Sequence, residues 1–327
     1  MIIVRSPLRI TLGGGGTDLE SYYSEYGGFL LSAAINRYVY VNISTPFDQA
    51  IKLKYSEYEE VKNVKDIKHP IIRSVLDEIS LDDNKIEITT TADLPSNTGL
   101  GSSSSFTTAL IKALYANKRM QINKRDLAEL ACKIEIDKLR SPIGKQDQYI
   151  SSYGGIRELS FSKNGDVDVK TCNISQSTIN KLEDSLILYF TKFSRDANII
   201  LKEQDKASKE MDSEITENLH LVKELGIKSK DALEENNINL FGEIMKEHWI
   251  IKKKRSKKMS NDDIDKWYSH GINNGAIGGK LVGAGAGGFL LFVTQDKIKL
   301  RDSMKKFNLN EVQIKFNFEG TKLVMAD

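Results

Sequence analysis

Residues 94–116 read Leu-Pro-Ser-Asn-Thr-Gly-Leu-Gly-Ser-Ser-Ser-Ser, then Phe-Thr-Thr-Ala-Leu-Ile-Lys-Ala-Leu-Tyr-Ala. The first part is a loop rich in glycine and serine, and the second part has apolar residues at helical intervals. Just before them, residues 85–91 alternate in polarity and are rich in β-branched side chains, which favours a strand. The order strand, loop, helix is therefore predicted for the centre of the fold.

This loop has the composition of a phosphate-binding turn. Glycines let the backbone turn tightly and bring its N–H groups close to a ligand. The free N–H groups and the positive dipole end of the following helix attract phosphate, and serine hydroxyls can bind Mg²⁺. The GxxxxGK[ST] pattern of a Walker loop does not occur here. A flexible turn before a helix is the alternative interpretation.

The elements on both sides of the loop indicate an α+β protein of two lobes. Strands are predicted over residues 2–4, 9–12, 29–35, 38–44, 185–191, 311–316 and 322–325, with a strand–loop–strand unit over 278–294. Helices are predicted over residues 69–79, 123–139, 198–225 and 229–249 and from 261, with Gly226 as the stop between the third and fourth. Strands, then helices, then strands are typical of α+β folds. We expect an N-terminal lobe over residues 1–170 and a C-terminal lobe over 171–327.

Three further segments carry side chains suited to catalysis or ligand binding. Residues 9–18 combine an arginine, four glycines and an acid, which suits an anionic or polyhydroxylated ligand, with a disordered turn as the alternative. In residues 141–148, Asp147 lies between two glutamines after a glycine and could act as a base. Glu135 lies between isoleucines on the preceding helix, where acidic residues are usually solvated. Residues 283–288 fit either a ligand loop or a closely packed glycine hairpin.

Composition and charge limit the function further. The 327 residues carry a formal net charge of +2, so bulk charge does not indicate nucleic acid. The densest basic run, residues 252–258, has no accompanying aromatic platform, and a solvated helix face is its plain interpretation. The N-terminal apolar stretch is too short for a signal peptide, and no apolar run approaches the ~20 residues of a membrane span. We therefore expect a cytoplasmic protein without nucleic-acid or membrane partners.

Together these segments resemble the GHMP kinases, a family that includes galactokinase, homoserine kinase, mevalonate kinase and phosphomevalonate kinase. The loop at Pro95 is similar to the family's PxxxGLGSSS motif, residues 7–18 resemble the first galactokinase motif, and residues 280–288 resemble the third. The three motifs follow the family's order over nearly the whole chain. The resemblance implies a ribosomal-protein-S5-like N-terminal lobe, a ferredoxin-like C-terminal lobe and ATP-dependent phosphoryl transfer to a hydroxyl group.

The resemblance also implies roles for the matching positions. ATP phosphates would lie against the loop formed by Asn97, Thr98, Gly99, Leu100, Gly101, Ser102, Ser103 and Ser104. Ser103 and Glu135 match Mg²⁺ ligands. Asp147 matches the galactokinase base, and Arg9 matches an arginine near the reacting hydroxyl. Sugar contacts would come from Gly15, Gly16, Thr17, Asp18 and Gly155, and a structural loop from Gly283, Gly285, Gly287 and Gly288.

Within the family, the sequence resembles the D-glycero-D-manno-heptose 7-phosphate kinases in particular. The shared segments are GGGGTD, GKQDQY, a Tyr-Gly-Gly turn at residues 153–155, a Ser-Arg pair at 194–195 and HW…K at 248–252 before GAIGGKL. The reaction implied is phosphorylation of the anomeric hydroxyl to a 1,7-bisphosphate, for nucleotide-activated heptose synthesis. Glycines replace the Glu-His that galactokinase carries before Thr17-Asp18, which argues against galactose.

Alternatives to this substrate remain open. Other sugar 1-kinases, of the fucose or N-acetylhexosamine type, share much of the pattern. A non-catalytic ligand-binding homologue is a further alternative, which the joint presence of Asp147, Glu135 and Ser103 disfavours. A homodimer is left open by the resemblance.

A phosphorylated substrate requires a cationic contact. Such a sugar brings roughly two negative charges, which are costly to leave unpaired in a closing cleft. Arg195 and the lysines that begin at Lys252 are the candidates, with Lys145 and Arg140 as further ones.

Overall fold

The computed structural model of the chain describes residues 1–80, 85–193, 213–256, 258–283, 285 and 287–326. The strands of this part are β1 (Ile2–Gly13), β2 (Gly28–Ser44), β3 (Ile51–Lys54), β4 (Tyr58–Val61), β5 (Ile86–Ala92), β6 (Ile156–Phe161), β7 (Val167–Thr171), β8 (Leu186–Phe190), β9 (Ala276–Leu281), β10 (Phe289–Thr294), β11 (Asn310–Val312) and β12 (Lys322–Ala326). The strands form two separate sheets. The larger has the order β12-β1-β2-β5-β3-β4, with β6 pairing β2 and β7 pairing β6, and the smaller has the order β11-β8-β10-β9.

The helices of the same part pack on these sheets and between them. They are α1 (Glu20–Tyr26), α2 (Pro70–Ile79), α3 (Ser102–Asn117), α4 (Lys124–Cys132), α5 (Gln146–Tyr153), α6 (Gln176–Ser185), α7 (Ser213–Glu234), α8 (Ile238–Lys253), α9 (Asp262–Asn273) and α10 (Lys297–Met304). Short 3₁₀ turns cover Val64–Asp66 and Lys305–Phe307, and a π-helix covers Lys133–Lys138. None of the helices in the described ranges is long and apolar enough to cross a bilayer.

The α+β class and the central strand, loop and helix predicted from the sequence are confirmed. β5 enters the loop and α3 leaves it. The first two predicted strands are one continuous strand, β1, and the next two are one strand, β2. The two long strands pair antiparallel with register shifts between Pro7 and Arg9 and between Thr11 and Gly13. Such bulges bend a long pair, which explains why the sequence pattern is interrupted there.

The prediction that Gly226 ends a helix is wrong. Gly226 lies inside α7, which ends only at Glu234. Asn237 then caps α8 by accepting a hydrogen bond from the Leu240 N–H at 3.0 Å. A Cβ at position 226 would lie 2.9 Å from Cα of Gly14. This glycine therefore allows α7 to approach the glycine turn after β1, rather than stopping the helix.

One apolar core joins the two sheets. Leu12 of β1, Leu188 of β8 and Phe241 of α8 are buried in the same cluster. A second cluster lies under the larger sheet and packs it against α2, α3 and α4, with Leu110 and Leu127 fully buried. Because the shared core fixes β1 relative to α8 and β9, residues from both halves of the chain can meet at one site.

Candidate active site

A cavity of about 270 Å³ opens where β1, the start of α3, the start of α5, the end of α8 and the end of β9 meet. Its lining includes the glycine turn after β1 and the loop before α3. Arg9, Asp18 and Asp147 contribute charged groups from one side, and Lys252, Arg255 and Lys280 contribute cations from the other. The cavity therefore joins motifs that are distant in the sequence.

The loop before α3 presents the helix N-terminus to this cavity. Gly101 occupies the N-cap position with φ 77°, a left-handed conformation that favours glycine, and no side chain caps the helix. The cavity wall includes Asn97, Gly99, Gly101, Ser102, Ser103 and Ser104. Uncapped N–H groups at the start of a long helix form an anion-binding site. The loop can therefore hold nucleotide phosphates.

The glycines of residues 283–288 pack against that loop. A Cβ on Gly283 would lie 2.5 Å from Cα of Gly99, and one on Gly288 would overlap the carbonyl oxygen of Thr98. A Cβ on Gly287 would lie 2.6 Å from the carbonyl oxygen of Phe193. The backbones can approach this closely only because side chains are absent. Gly285 lies in the same loop beside Met259, so the loop buttresses the phosphate-binding turn from behind.

Arg9 and Asp147 form a bidentate ion pair at the centre of the cavity. Nε and Nη2 of Arg9 donate to the two carboxylate oxygens at 2.6 and 2.8 Å, and Nη1 donates to the Gly99 carbonyl oxygen at 2.5 Å. Asp147 lies in the first turn of α5 and is half-buried. A Cβ at Gly101 would lie 3.0 Å from Oδ2 of Asp147, so the phosphate loop and this carboxylate are adjacent. A bidentate pair fixes the position of the carboxylate.

Glu135 lies buried beside the phosphate loop. It belongs to the π-helix that follows α4, and such irregular turns occur frequently at functional sites. Its Oε1 accepts a hydrogen bond from Oγ of Ser103 at 2.6 Å, and its Oε2 accepts one from Nε2 of Gln148 at 2.8 Å. Burial raises the pKa of Glu135, and the hydrogen bonds from Ser103 and its neighbours oppose that rise. The carboxylate and the hydroxyl are oxygen donors of the kind that Mg²⁺ takes together with phosphate oxygens.

The glycine turn after β1 positions Asp18. Thr17 donates from Oγ1 to the carbonyl oxygens of Gly14 and Phe29, which closes the turn. Asp18 is buried and accepts a hydrogen bond from the Gln146 backbone N–H at 3.2 Å. Burial and the nearby charge of Asp147 raise the pKa of Asp18. A carboxyl group fixed at the cavity wall is suited to hydrogen bonding with sugar hydroxyls.

Lys252 comes from the last turn of α8 and is buried. Its Nζ donates to the carbonyl oxygens of Leu281, at 3.1 Å, and Gly283. Burial lowers the pKa of Lys252 to about 7, and repulsion by Arg255 and Arg9 adds to this. Because Gly283 packs against Gly99, the ammonium group lies on the side of the cavity formed by the loop before α3.

Lys280 and His248 form a second buried basic pair. Nζ of Lys280 donates to the Leu12 carbonyl oxygen at 3.2 Å and lies 3.2 Å from Nδ1 of His248. Burial lowers the pKa of both side chains, and neighbouring cations lower them further. In the described part of the chain, Nε2 of His248 is buried without a hydrogen-bond partner.

Arg255 follows α8 and extends to the glycine turn after β1. Its Nε donates to Oδ1 of Asn218 at 2.7 Å, and its Nη1 donates to the Gly15 carbonyl oxygen at 3.0 Å. Its Nη2 is buried and has no hydrogen-bond partner within the ranges that the structure describes. Burial lowers the pKa of Arg255 to about 10, and the charges of Asp18 and Tyr22 oppose this.

Several predicted site residues lie away from the cavity surface. Thr98 bonds the Pro95 carbonyl oxygen, and Leu100 is part of the core. Thr17 closes its turn from within. Gly155 also lies outside the cavity lining. Its N–H donates to the Asn317 carbonyl oxygen at 2.6 Å, and its carbonyl oxygen accepts from the Ala34 N–H.

The basic residues predicted to contact a phosphate lie in different surroundings. Lys253 pairs with Asp265 at 3.1 Å, and Lys254 is exposed. Among the residues of that run that the structure describes, only Lys252 and Arg255 line the cavity. Lys145 bonds the Gly165 carbonyl oxygen at 2.7 Å and lies outside the cavity lining. Ser194 and Arg195 lie outside the described residues.

Sequence reasoning missed Arg255, Lys280 and His248. Two signals were present: Arg255 follows Lys252 by three residues, which is helical spacing, and Lys280 interrupts an otherwise apolar and glycine-rich strand. A lysine in a buried strand is rare and indicates either pairing or function.

An uncapped helix N-terminus, an adjacent hydroxyl and carboxylate, and a second carboxylate fixed by an arginine are groups that a small-molecule kinase would need. Comparison with known proteins identifies the family. The model of the N-terminal domain of GHMP kinases matches residues 65–155, and the model of their C-terminal region matches residues 229–308. The chain belongs to the GHMP kinases, and its resemblance to them is confirmed.

Individual relatives match most or all of the chain. The D-glycero-alpha-D-manno-heptose 7-phosphate kinase of Campylobacter jejuni is 34% identical over 319 residues, which cover 94% of this chain and 91% of that protein. The crystal structure of a D-glycero-D-manno-heptose 1-phosphate kinase from Bacteroides thetaiotaomicron matches all of both chains with a TM-score of 0.82 and 25% identity. A bifunctional fucokinase/GDP-fucose pyrophosphorylase of Arabidopsis thaliana is 25% identical over 91% of this chain and 30% of that protein.

Proposed function

We propose that this protein is an ATP- and Mg²⁺-dependent kinase that phosphorylates the anomeric hydroxyl of D-glycero-D-manno-heptose 7-phosphate, giving a 1,7-bisphosphate. The observation that carries the proposal is one cavity that joins a phosphate loop, a fixed carboxylate and a wall of buried cations. The two heptose kinases among the relatives support the sugar. We place the reaction in the cytoplasm, where ATP is available.

Phosphoryl transfer depends mainly on positioning and on neutralising the charge of the moving group. In the proposed complex the helix N-terminus at Gly101 binds the ATP phosphates, and Lys252 adds positive charge from the opposite wall. Asp147 accepts the proton of the attacking hydroxyl, and Arg9 holds its carboxylate in place. An anomeric hydroxyl is more acidic than an ordinary alcohol, which eases this proton transfer.

The residues present fit a magnesium ion. Ser103 and Glu135 supply adjacent oxygens at the mouth of the phosphate loop, 2.6 Å apart. Mg²⁺ binds few protein oxygens and completes its shell with phosphate oxygens and water. When bound, the ion would neutralise charge on the transferred group. The protein's own part is to hold Glu135 in the π-helix by the hydrogen bond from Gln148.

The charge of the cavity favours a phosphorylated sugar over a neutral one. Four basic side chains and two carboxylates line it. Burial lowers the pKa of Lys252 and Lys280, because their charged forms are costly where they are buried. A dianionic substrate would favour the charged forms and offset that cost on binding. A kinase for fucose or N-acetylhexosamine needs positive charge only for the nucleotide.

A coupled assay of ADP release tests this proposal. The kcat/KM for heptose 7-phosphate is compared with that for unphosphorylated heptose, fucose and N-acetylhexosamines, and an Asp147→Asn preparation controls for contaminating kinases. We expect heptose 7-phosphate to be preferred by about a hundredfold or more, the range of a buried charge contact. Equal or better turnover of fucose or an N-acetylhexosamine would contradict the proposal.

A further inference from the structure

We infer that Arg255 is the residue that distinguishes a phosphorylated from an unphosphorylated sugar, through its Nη2 group. The inference rests on the proposed function and names the residue that sets its specificity. It differs from the sequence-based expectation, which assigned the remote phosphate to Arg195 or to the lysines at 252–254.

The position of Arg255 separates it from the other cations of the cavity. Lys252 bonds the carbonyl oxygen of Gly283, whose backbone packs on Gly99 of the phosphate loop. Arg255 instead bonds the carbonyl oxygen of Gly15, in the turn that leads to Asp18. One cation therefore lies beside the nucleotide loop and the other beside the sugar turn. A phosphate at the far end of the sugar would meet Arg255.

The guanidinium is held by two of its three nitrogens. Asn218 of α7 fixes Nε at 2.7 Å, and Gly15 fixes Nη1 at 3.0 Å. Nη2 is buried and finds no acceptor among the described residues. Arginine binds phosphate through such rigidly presented N–H groups, and a pre-fixed guanidinium loses little entropy on binding. An unsatisfied buried N–H is costly until an acceptor arrives.

A purely structural role is the alternative for Arg255, since it ties α7 to the glycine turn. The two roles differ in what a substitution does to the two sugars. Loss of a structural tie would impair phosphorylated and unphosphorylated heptose alike, whereas loss of a phosphate contact would impair only the former.

The test measures kcat/KM for heptose 7-phosphate and for heptose with the wild type, Arg255→Ala and Arg255→Lys. For Arg255→Ala we expect kcat/KM to fall much more for heptose 7-phosphate than for heptose, so that the preference for the phosphorylated sugar falls about tenfold to a hundredfold while KM for ATP changes little. Arg255→Lys should restore part of the preference, because a lysine keeps the charge and loses the fork. Lys254→Ala, an exposed charge removed from the same run, should keep the full preference.

Three results separate the inference from the proposed function. If the wild type prefers heptose 7-phosphate and Arg255→Ala keeps that preference, the inference fails and the function stands. If Arg255→Ala impairs both sugars equally, Arg255 is structural and the inference fails. If the wild type shows no preference, the proposed function fails, and inhibition by inorganic phosphate then tests Arg255 separately. If phosphate competes with the sugar in the wild type and not in Arg255→Ala, Arg255 forms an anion site. If phosphate does not compete in the wild type, the inference about Arg255 fails as well.

Discussion

Replacing Lys252 with methionine should stabilise the protein, and the gain should shrink as the pH rises. The buried ammonium of Lys252 has its pKa lowered from 10.5 to about 7, chiefly by burial. The unfolded chain therefore binds more protons than the folded one between these two values, and folding stability rises with pH across that window. Below about pH 7 the whole cost of the buried charge is present. Methionine has a similar length and no charge, so it removes this cost.

The size of the effect follows from the pKa change. Each unit corresponds to ~1.4 kcal/mol, so the lowering from 10.5 to about 7 costs the fold ~5 kcal/mol at about pH 6 and ~2 kcal/mol at about pH 9. The variant also loses the hydrogen bonds to Leu281 and Gly283. That loss is the same at both pH values, so it cancels in the difference between them. We therefore expect the advantage of Lys252→Met to fall by roughly 3 kcal/mol between about pH 6 and pH 9.

Urea denaturation of the wild type and of Lys252→Met at both pH values measures this difference. Lys254→Met is the matched control, because Lys254 is exposed on the same run and its replacement should change the free energy of unfolding by under ~0.5 kcal/mol. An advantage of Lys252→Met that is the same at both pH values would show that Lys252 is not desolvated in the folded protein.

Three further substitutions test the site. Asp147→Asn removes the proton acceptor and should lower kcat by ~10²–10⁴-fold with ATP affinity retained. A steady-state kcat within roughly threefold of the wild-type value would show that Asp147 is not the base. Glu135→Gln should raise the Mg²⁺ concentration needed for half-maximal rate, and a Mg²⁺ titration that overlays the wild type would contradict its assignment. Gly226→Ala places a Cβ 2.9 Å from Cα of Gly14 and should cost roughly 1–3 kcal/mol in thermal unfolding, while the exposed neighbour Lys228→Ala should cost almost nothing.

Local patterns in the sequence were sufficient for much of the fold. The alternation of residues 85–91 and the helical spacing after Phe106 predict β5 and α3, because each element buries one face. Gly226 could not be interpreted the same way. Glycine ends many helices, but here it permits an approach to Gly14, which is more than two hundred positions earlier in the chain. Only the tertiary packing shows which role a glycine has.

Motif order in the sequence predicted that Arg9, Asp18, Ser103 and Asp147 belong to one site, and the structure places all four in one cavity. Glu135 was expected from the resemblance, but the neighbouring sequence does not predict that it is buried in a π-helix. The basic residues that line the cavity, Lys252, Arg255 and Lys280, could be predicted only in part. Lys252 and Lys253 are adjacent and chemically identical, but one enters the cavity and the other pairs with Asp265, because successive residues on a helix point in different directions.

The position of the new phosphate on the product is the most direct test of the proposed reaction. Heptose 7-phosphate is incubated with the wild type, ATP and Mg²⁺, and the product is examined by proton-coupled ³¹P NMR. A product with two phosphate monoesters, of which the new one couples to the anomeric proton, is the expected result. A new phosphate coupled to any other sugar proton, or no product from heptose 7-phosphate while an unphosphorylated sugar is converted, would contradict the proposed function.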